Sequence, residues 1–371
     1  MPRITLANLD AIAREAQRRH QGWKAMLMVC AGTGCVSAKS LPIRDALREE
    51  IARRGLEREI KVVATGCNGF CAHGPICVVQ PEGVFYERLK AESVPALIES
   101  HFVRKRPLEE FLYRVDGEER PIPLEKDIEF FAKQQCIALR NRGRIDPEDI
   151  EDAIRAGAYR ALQEVLAGNL PGDEIVRRVT RSGLRGRGGG GFPTGVKWAS
   201  CLAAARKRGV RPYVVCNGDE GDPGAFMDRS IVEADPHAVI EGMLIGARAL
   251  GATEGFVYIR LEYPLALQRL KKAIAQAREW GLLGADVMGS GMAFDITVHQ
   301  GAGAFVCGES TALMASMEGR AGEPRAKYVH TVEYGYRDMP TVLNNVETWA
   351  NVPPILTKGA EWFAAIGTGD V

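Results

Sequence analysis

The fold is decided by the stretch PYVVCNGDEGDPGAFMDR (212–229), in which a short apolar run leads directly into a loop of glycines and acids. Short apolar runs bounded by turn residues are typical of buried strands. Two more strands follow along the chain, GFVYI (255–259) and the alternating MAFDITV (292–298), with helical patterns near 231–250 and 264–280. Strands that alternate with helices predict an α/β fold with a mostly parallel sheet and helices outside it.

The composition is that of an ordinary globular protein. The 371 residues are 46% hydrophobic and 26% charged, with a formal net charge of +1. A charge this close to neutral gives no strongly basic surface that would attract nucleic acid. No apolar run reaches the roughly 18 residues that a membrane-spanning helix needs. The N-terminal helical pattern lacks the apolar segment of a signal peptide. We therefore expect a cytoplasmic protein with no nucleic-acid partner and no membrane insertion of this chain.

Residues 1–101 are predicted to form a small α/β domain. Its apolar strands MLMV (26–29) and IKVVAT (60–65) are each followed by a loop that contains cysteines. Residues 102–127 carry many charges and three prolines without a helical period, so they are interpreted as a linker. Residues 128–371 are predicted to form the larger domain, which contains the parallel sheet.

The larger domain is expected to begin with a helix. Asp146 and Pro147 suit its N-cap and first turn, and apolar residues keep helical spacing over 150–166. The glycine-rich stretch 183–195 follows this helical region.

Four of the nine cysteines lie in the two loops of the small domain. Cys30 and Cys35 are spaced as C-x4-C, and Cys67 and Cys71 as C-x3-C. Because both loops follow strands of one small sheet, they can bring four thiolates to one place. Four thiolates suit either a tetrahedral zinc ion or a 2Fe–2S cluster, and buried thiols without a metal are the third alternative. Cys77 is interpreted as a core residue.

Residues 30–86 resemble a known cluster-binding domain. The motifs CAGTGC (30–35) and TGCNGFCAHGPICVVQPEGVFY (65–86) are similar to the thioredoxin-like 2Fe–2S ferredoxin domain at the front of NADH-binding flavoprotein subunits of soluble hydrogenases and formate dehydrogenases. The resemblance implies a 2Fe–2S cluster. Its implied ligands are Cys30, Cys35, Cys67 and Cys71.

The stretch SGLRGRGGGGFPTGVKW (182–198) is the strongest binding signal of the larger domain. It contains a G-x-G-x-x-G match, but this match follows a helix where the dinucleotide fingerprint follows a strand, so a flexible hinge is the alternative. Glycines let the backbone approach a ligand and expose N–H groups to anionic oxygens. Lys197 adds a positive charge for a phosphate, and Phe192 offers an aromatic face to a flat ring.

This stretch resembles the flavin- and NADH-binding loop of the flavoprotein subunit of respiratory complex I. The resemblance implies that Gly186, Arg187, Gly188 and Lys197 hold FMN. It also implies that Phe192 stacks on the nicotinamide nucleotide.

The acidic loop that follows PYVVC lies where open α/β sheets usually bind ligands. From the residues alone it could be a solvated turn or a cation loop, although the spacing of an EF-hand is absent. The loop resembles the family's NADESEPG-type loop. The resemblance implies that Asn217, Asp219 and Glu220 hold FMN and that Asp222 lies near the nicotinamide.

A second glycine motif, GAGAFVCGESTALMASMEGRAGEPRAK (301–327), follows a strand and opens a helix. A simple helix start capped by Ser310 or Thr311 is the alternative. The family has a matching aromatic-x-C-G-E-E-T-A-L run. The match implies the following binding residues: Phe305, Gly308 and Glu309 for the flavin, and Lys327 for the dinucleotide.

Ser310 stands where the family has a second glutamate, which lies near the adenosine ribose. Its replacement removes a charge that would repel a 2′-phosphate, and Arg320, Arg325 and Lys327 follow nearby. We therefore hypothesise that NADP(H) is accepted or preferred over NAD(H). The segment PTVLNNVETWANVP (340–353) also matches the family, which implies that Asn344 and Asn345 lie near the FMN phosphate or ribitol.

The resemblance covers nearly all of residues 26–366. It implies a small thioredoxin-like ferredoxin domain followed by a larger Rossmann-like domain that binds FMN and NAD(P)H. The implied function is that of a diaphorase subunit, in which hydride passes between nicotinamide C4 and flavin N5 and single electrons then flow through iron–sulfur centres.

The implied partners are a thioredoxin-like 2Fe–2S subunit and a cluster-rich catalytic subunit of a hydrogenase, formate dehydrogenase or electron-bifurcating complex. A 4Fe–4S cluster is expected only if the natural chain continues past Val371. The alternatives are a stand-alone NAD(P)H-dependent flavin reductase and a zinc-stabilised nucleotide-binding module without catalysis.

Overall fold

The computed structural model describes residues 3–326 and 328–367. The described chain divides into two compact units. The small unit contains residues 13–156 together with 233–235. The large unit contains the rest, with 157–232 and 236–367 as its main part.

The small unit is built on a four-stranded mixed sheet with the order β2-β1-β3-β4. Its strands are β1 (Ala25–Cys30), β2 (Ile60–Thr65), β3 (Cys77–Gln80) and β4 (Val84–Tyr86). Strand β2 runs parallel to β1, whereas β3 is antiparallel to both β1 and β4. Alternate residues of β1 enter different cores, because Leu27 and Val29 pack with α3 residues whereas Met26 and Met28 pack with Phe85.

The helices in residues 9–155 are short except for two. The α-helices are α1 (Leu9–Gln21), α2 (Thr33–Ser37), α3 (Ser40–Arg53), α4 (Val94–Ile98), α5 (Glu129–Ala132) and α6 (Ile150–Arg155). Single 3₁₀ turns lie at Cys71–His73, Ala91–Ser93, Glu109–Phe111 and Glu125–Asp127, and a π turn lies at Glu99–Val103.

The structure differs from the sequence prediction in the segment interpreted as a linker. Residues 108–125, which we call the strap, lie along strand β4 and pair with it. The backbone N–H of Phe85 donates to Pro123 at 2.8 Å, and that of Glu87 donates to Phe111 at 2.9 Å. Phe111 is also buried in the core of the unit. Charged residues dominate the strap, so its sequence pattern does not reveal the few apolar residues that anchor it.

The large unit is built on four parallel strands with the order β7-β6-β5-β8. They are β5 (Tyr213–Gly218), β6 (Glu254–Ile259), β7 (Asp295–Gln300) and β8 (Thr341–Asn345). The α-helices are α7 (Arg160–Ala167), α8 (Gly172–Arg181), α9 (Thr194–Arg208), α10 (Met227–Ala234), α11 (Pro236–Leu250), α12 (Pro264–Glu279), α13 (Ser310–Met317), α14 (Val346–Lys358) and α15 (Ala360–Ala364). Single 3₁₀ turns lie at Val287–Gly289, Phe305–Gly308 and Tyr336–Asp338. The predicted α/β class with a parallel sheet is confirmed.

Two predicted helices are interrupted. The helix expected from Asp146 has Asp149 as its N-cap and ends at Arg155, because Gly157 and Tyr159 adopt positive φ angles of 100° and 66° before α7 begins. The helix expected over 231–250 is divided before Pro236, which lacks the N–H that a continuous helix would need.

Helix α11 is a buried helix of the large unit that packs closely against α14. It is buried along almost its whole length, and a Cβ on Gly242 would lie 2.1 Å from the carbonyl oxygen of Trp349 in α14. Only glycine permits this close packing, which positions α14 and therefore its N-cap residue Asn345. In the described part of the chain, no helix combines the length and the apolar character needed to cross a membrane.

Candidate functional site

A cavity of about 490 Å³ lies at the carboxyl ends of the parallel strands. It is lined by the glycine-rich loop, the loops after β5 and β7, and the end of β8. Predicted site residues that line it are Arg187, Gly188, Asn217, Asp219, Glu220, Asp222, Phe305, Gly308, Glu309 and Asn345. Four segments that are distant in the sequence therefore meet at one place, as expected for an open parallel sheet.

Other predicted residues lie outside the cavity lining. Gly186 and Phe192 close the glycine-rich loop, since the N–H of Gly186 donates to the carbonyl of Phe192 at 2.9 Å. The Phe192 ring is 52% exposed. Lys197 is largely buried, and its Nζ donates to the carbonyl oxygen of Leu343 at 2.8 Å. Burial lowers the pKa of Lys197 to about 8.

Ser310 and Asn344 are also not part of the lining. The Ser310 hydroxyl donates to Glu309 at 2.9 Å. Asn344 is buried, and with its amide oriented to satisfy both polar atoms it accepts a 2.9 Å hydrogen bond from the indole N–H of Trp198. Lys327 lies outside the described residues.

Asn345 connects three elements at the base of the cavity. Its Oδ1 accepts the backbone N–H of Thr348 at 3.1 Å and so caps helix α14. Its Nδ2 lies 3.3 Å from both carboxylate oxygens of Asp228 in the first turn of α10. The Thr348 hydroxyl in turn accepts the N–H of Arg187 at 3.0 Å. The same hydroxyl donates to Asn345 Oδ1, so Asn345 and Thr348 together connect the glycine-rich loop, α10 and α14.

The carboxylate of Glu220 is hydrogen-bonded to other groups of the protein. It accepts the backbone N–H groups of Asp228 at 3.0 Å and Arg229 at 3.1 Å, and the Tyr263 hydroxyl at 3.2 Å. It thus fixes the start of α10 although it also lines the cavity. Its backbone oxygen accepts a hydrogen bond from Arg260, which directly follows β6.

Sequence reasoning missed four residues of this site. They are Asp228, Thr348, Arg260 and Tyr263. Asp228 and Thr348 lie within the acidic and Asn-Asn motifs, and Arg260 directly follows a strand, so these positions are signals that could have identified them. The sequence carries no comparable signal for Tyr263.

Asp219 carries a polar atom that is available to a ligand. Its Oδ2 is buried and has no hydrogen-bond partner in the part of the chain that the structure describes. The loop around it is rigid, since its backbone N–H donates to Asn217 at 2.9 Å and Asn217 donates to the carbonyl of Gly308, also at 2.9 Å. Burial raises the pKa of Asp219 to about 6. A hydrogen-bond donor on a bound ligand would satisfy this oxygen.

Glu309 is the N-cap of helix α13. Its carboxylate accepts the backbone N–H groups of Thr311 at 2.8 Å and Ala312 at 3.0 Å. The alternative of a cap at Ser310 or Thr311 is therefore wrong. Glu309 therefore caps the start of the helix with its side chain and at the same time borders the cavity.

Glycines bring the walls of the cavity close together. A Cβ on Gly221 would lie 2.4 Å from the Phe305 ring, and one on Gly308 would lie 3.2 Å from the carbonyl oxygen of Asp219. The Phe305 ring is 66% exposed beside this loop. Flat walls of this kind and the unsatisfied Asp219 oxygen fit a planar, hydrogen-bonding ring system such as the isoalloxazine of FMN.

The Asp219→Asn variant is expected to raise the free energy of unfolding of the ligand-free protein by about 1 kcal/mol at pH 7.5. A pKa shift of about two units corresponds to roughly twice this free energy, and we halve it because solvent partly reaches the carboxyl group. The folded state keeps the Asp219 proton up to pH about 6, whereas the unfolded chain releases it near pH ~3.9. Stability therefore falls as the pH rises through this window. Urea unfolding of both proteins at several pH values measures the difference. A gain that persists unchanged at pH 4 would contradict this account.

The four predicted cysteine ligands of the small unit lie together. The Sγ atoms of Cys67 and Cys71 are 3.8 Å apart. The thiols of Cys35 and Cys67, together with burial, raise the pKa of Cys30 well above its usual value. In the described residues, no three His, Cys, Asp or Glu side chains surround a point as ligands of one ion.

Glycines allow the two cysteine loops to approach each other. A Cβ on Gly32 would lie 2.6 Å from the Cβ of Cys67, and one on Gly74 would lie 2.9 Å from the Sγ of Cys35. Cys71 is exposed, whereas Cys77 is fully buried in the core. The cysteine loops thus fit a metal–sulfur centre near the surface of the unit.

Family models match both units. Residues 16–101 match the thioredoxin-like [2Fe-2S] ferredoxin, and residues 179–354 match the Nuo51 FMN-binding domain. The chain thus combines a thioredoxin-like [2Fe-2S] ferredoxin domain with a Nuo51 FMN-binding domain, and it is similar to subunits of NADH-quinone oxidoreductases and of an NADP-reducing hydrogenase. The predicted FMN and 2Fe–2S cofactors and the thioredoxin-like fold of the first domain are confirmed by these matches.

Individual relatives belong to multi-subunit enzymes. The NADP-reducing hydrogenase subunit HndC of Solidesulfovibrio fructosivorans is 56% identical over 64% of this chain and 47% of its own length. The matching subunit of the NADH-quinone oxidoreductase of Escherichia coli is 44% identical over 62% of this chain and 51% of its own length. The chain thus spans about half the length of the curated relatives that it matches. A solved NAD⁺-reducing [NiFe]-hydrogenase in the H₂-reduced state aligns with a TM-score of 0.53 and 27% identity, over 99% of this chain and 64% of that one.

Proposed function

We propose that this chain is the diaphorase subunit of a multi-subunit oxidoreductase. In this function, hydride passes between NAD(P)H and FMN in the cavity of the large unit, and single electrons pass between FMN and the cluster of the small unit. The observation that carries the proposal is the meeting of two glycine motifs, the acidic loop and Asn345 at the carboxyl ends of one parallel sheet.

Each part of the cavity has a proposed task. FMN, when bound, supplies the chemistry of accepting a hydride and releasing electrons singly. Gly186, Arg187, Gly188 and Lys197 would hold its phosphate and ribitol, because exposed backbone N–H groups and a lysine suit an anion. Lys197 uses one donor on Leu343 and has two more to offer. Asn345 would keep this loop in place from below.

The acidic loop would orient the flavin ring. The unsatisfied oxygen of Asp219 would accept a hydrogen bond from the ring, whereas Glu220 and Asn217 are engaged with the protein and act by shaping the loop. Phe192, with its exposed ring, would stack on the nicotinamide, and Asp222 would lie beside it.

The cluster is proposed to have Cys30, Cys35, Cys67 and Cys71 as its ligands. The electrons would leave towards a thioredoxin-like 2Fe–2S subunit and a cluster-rich catalytic subunit of the hydrogenase or formate dehydrogenase type. This proposal is supported by the subunit names of the relatives and by the exposure of Cys71.

The visible spectrum of the purified chain tests the proposed function. We expect flavin bands and a broad cluster absorption, both bleached by NAD(P)H under anaerobic conditions. A colourless protein that contains zinc would contradict the proposal, and a flavin spectrum without iron would indicate a simple flavin reductase.

NADP(H) is the proposed preferred nucleotide, and the Ser310→Glu variant tests this preference. Ser310 follows Glu309 at the start of α13 and is not charged. A second carboxylate here would repel the 2′-phosphate, so we expect the NADPH:NADH ratio of kcat/KM for flavin reduction to fall about 10-fold or more, as for a close like-charge pair at the protein surface.

Ser200→Glu, which adds the same charge at an exposed position of α9, is the control. This control should keep the wild-type ratio. An unchanged ratio in S310E, or a wild-type protein that is reduced by NADH alone, would contradict the proposed preference.

A further inference from the structure

The small unit contains a tripeptide from a distant part of the sequence. We call this tripeptide, Glu233–Asp235, the clasp. The carboxylate of Glu233 accepts the backbone N–H of Thr33 at 2.9 Å and also accepts the Thr33 hydroxyl. Thr33 stands between the proposed ligands Cys30 and Cys35. The clasp therefore contacts the first cysteine loop through two hydrogen bonds on one residue.

The clasp also contacts the second cysteine loop. A Cβ on Gly66 would lie 2.2 Å from the Cα of Ala234, so the two backbones are in direct contact. Gly66 immediately precedes Cys67. Asp235 accepts the side-chain N–H of Asn141 at 2.7 Å and thereby fixes the clasp to the segment that follows the strap. The clasp thus touches both loops that carry the cysteines.

The clasp brings negative charge into a dry environment. Glu233 is 1% exposed and Asp235 is 3% exposed. Two donors on the oxygens of Glu233 stabilise its ionised form. A charge that is buried beside the cysteine loops acts through protein rather than through water, so its effect on a nearby redox centre is weakly screened.

We infer that Glu233 is a positioning residue that holds the first cysteine loop in place and, through its buried charge, lowers the reduction potential of the cluster. This inference rests on the proposed cluster ligands. Reduction adds one negative charge to the centre, and a fixed carboxylate nearby disfavours that addition.

The Glu233→Gln and Glu233→Asp variants of the full chain separate charge from shape. Glutamine keeps an acceptor for the Thr33 N–H and a donor for its hydroxyl but removes the charge, whereas aspartate keeps the charge and shortens the reach. Glu57→Gln removes an exposed carboxylate of the same unit and is the matched control. The readout is the midpoint potential of the cluster in an anaerobic redox titration followed by electron paramagnetic resonance, with iron content and melting temperature measured in parallel.

At the wild-type midpoint, we expect E233Q to raise the ratio of reduced to oxidised cluster about tenfold, which corresponds to an upward shift of about 59 mV for one electron. E233D and E57Q should stay near the wild-type potential. Loss of iron in E233Q with retention in E233D would also support the inference, because both variants alter the side chain and only one removes its charge.

An unchanged potential in E233Q, or a larger shift in E233D than in E233Q, would overturn the inference. Loss of iron in both variants would also overturn it, since shape alone would then account for the result. A wild-type chain without a two-iron spectrum would instead refute the proposed ligands.

Discussion

Cys30→Ala is expected to abolish the broad visible absorption of the cluster and to remove most of the iron, which should be about two atoms per chain in the wild type. Cys30 is buried at the end of β1, and the thiols of Cys35 and Cys67 contribute to the raised pKa of its own thiol. Alanine cannot ligate iron, and the remaining three thiols cannot complete two tetrahedral irons. Iron analysis and the visible spectrum of the reconstituted chain measure the effect.

Cys77→Ala is the matched control for this prediction. Cys77 lies opposite Val29 on the neighbouring strand, and it is fully buried in the same unit. Both substitutions remove one sulfur from a packed core, so their effects on folding are comparable. We expect C77A to retain iron and colour. If C30A keeps a full cluster, or if C77A loses it as well, the proposed ligand set is wrong.

The second large effect is expected from Asn345→Ala, which should weaken FMN binding about 100-fold. The substitution removes the cap of α14, a loss of ~1 kcal/mol. It also takes a donor from the buried carboxylate of Asp228, at a cost of ~1–3 kcal/mol. Burial raises the pKa of Asp228 well above its usual value, and the Asn345 amide is one of the donors that oppose this shift by favouring the ionised carboxylate. Because Thr348 connects α14 to Arg187, the glycine-rich loop loses its support.

Fluorescence titration of the apoprotein with FMN measures this dissociation constant. Asn351→Ala is the control, because Asn351 is a buried asparagine of the same helix whose amide donates to the Glu347 carbonyl at 2.8 Å and does not line the cavity. We expect N351A to melt at a lower temperature than the wild type and to bind FMN normally. Normal FMN binding by N345A would show that the loop is positioned without the amide.

The sequence was sufficient to predict the framework of both units. Buried strands such as MLMV and GFVYI are continuous apolar runs, and hydrophobic burial alone selects them. The cavity could be predicted for the same reason, since the carboxyl ends of parallel strands share one edge. Strand β8 was not predicted, because its last residues Asn344 and Asn345 are polar and its pairing depends on β5.

The roles of individual acids could not be read from the sequence. Glu220 and Glu309 were both predicted to bind flavin, and both use their carboxylates on backbone N–H groups of nearby helix starts. A motif fixes the residue type but not its partner, and a helix N-terminus competes with a ligand for the same carboxylate. Asp219 differs from them because, among the described residues, no backbone N–H lies within reach of its Oδ2.

The strap has a practical consequence for work with the small unit. Without it, β4 would be an edge strand with free N–H groups, and an unprotected edge invites pairing with another chain. The hydrogen bonds from Phe85 to Pro123 and from Glu87 to Phe111 close this edge. A fragment that ends at residue 101, where the ferredoxin match ends, would expose the edge of β4 and the apolar side chains that the strap covers. Fragments of this unit should therefore extend to residue 156, since the shorter piece is a candidate for aggregation in the test tube.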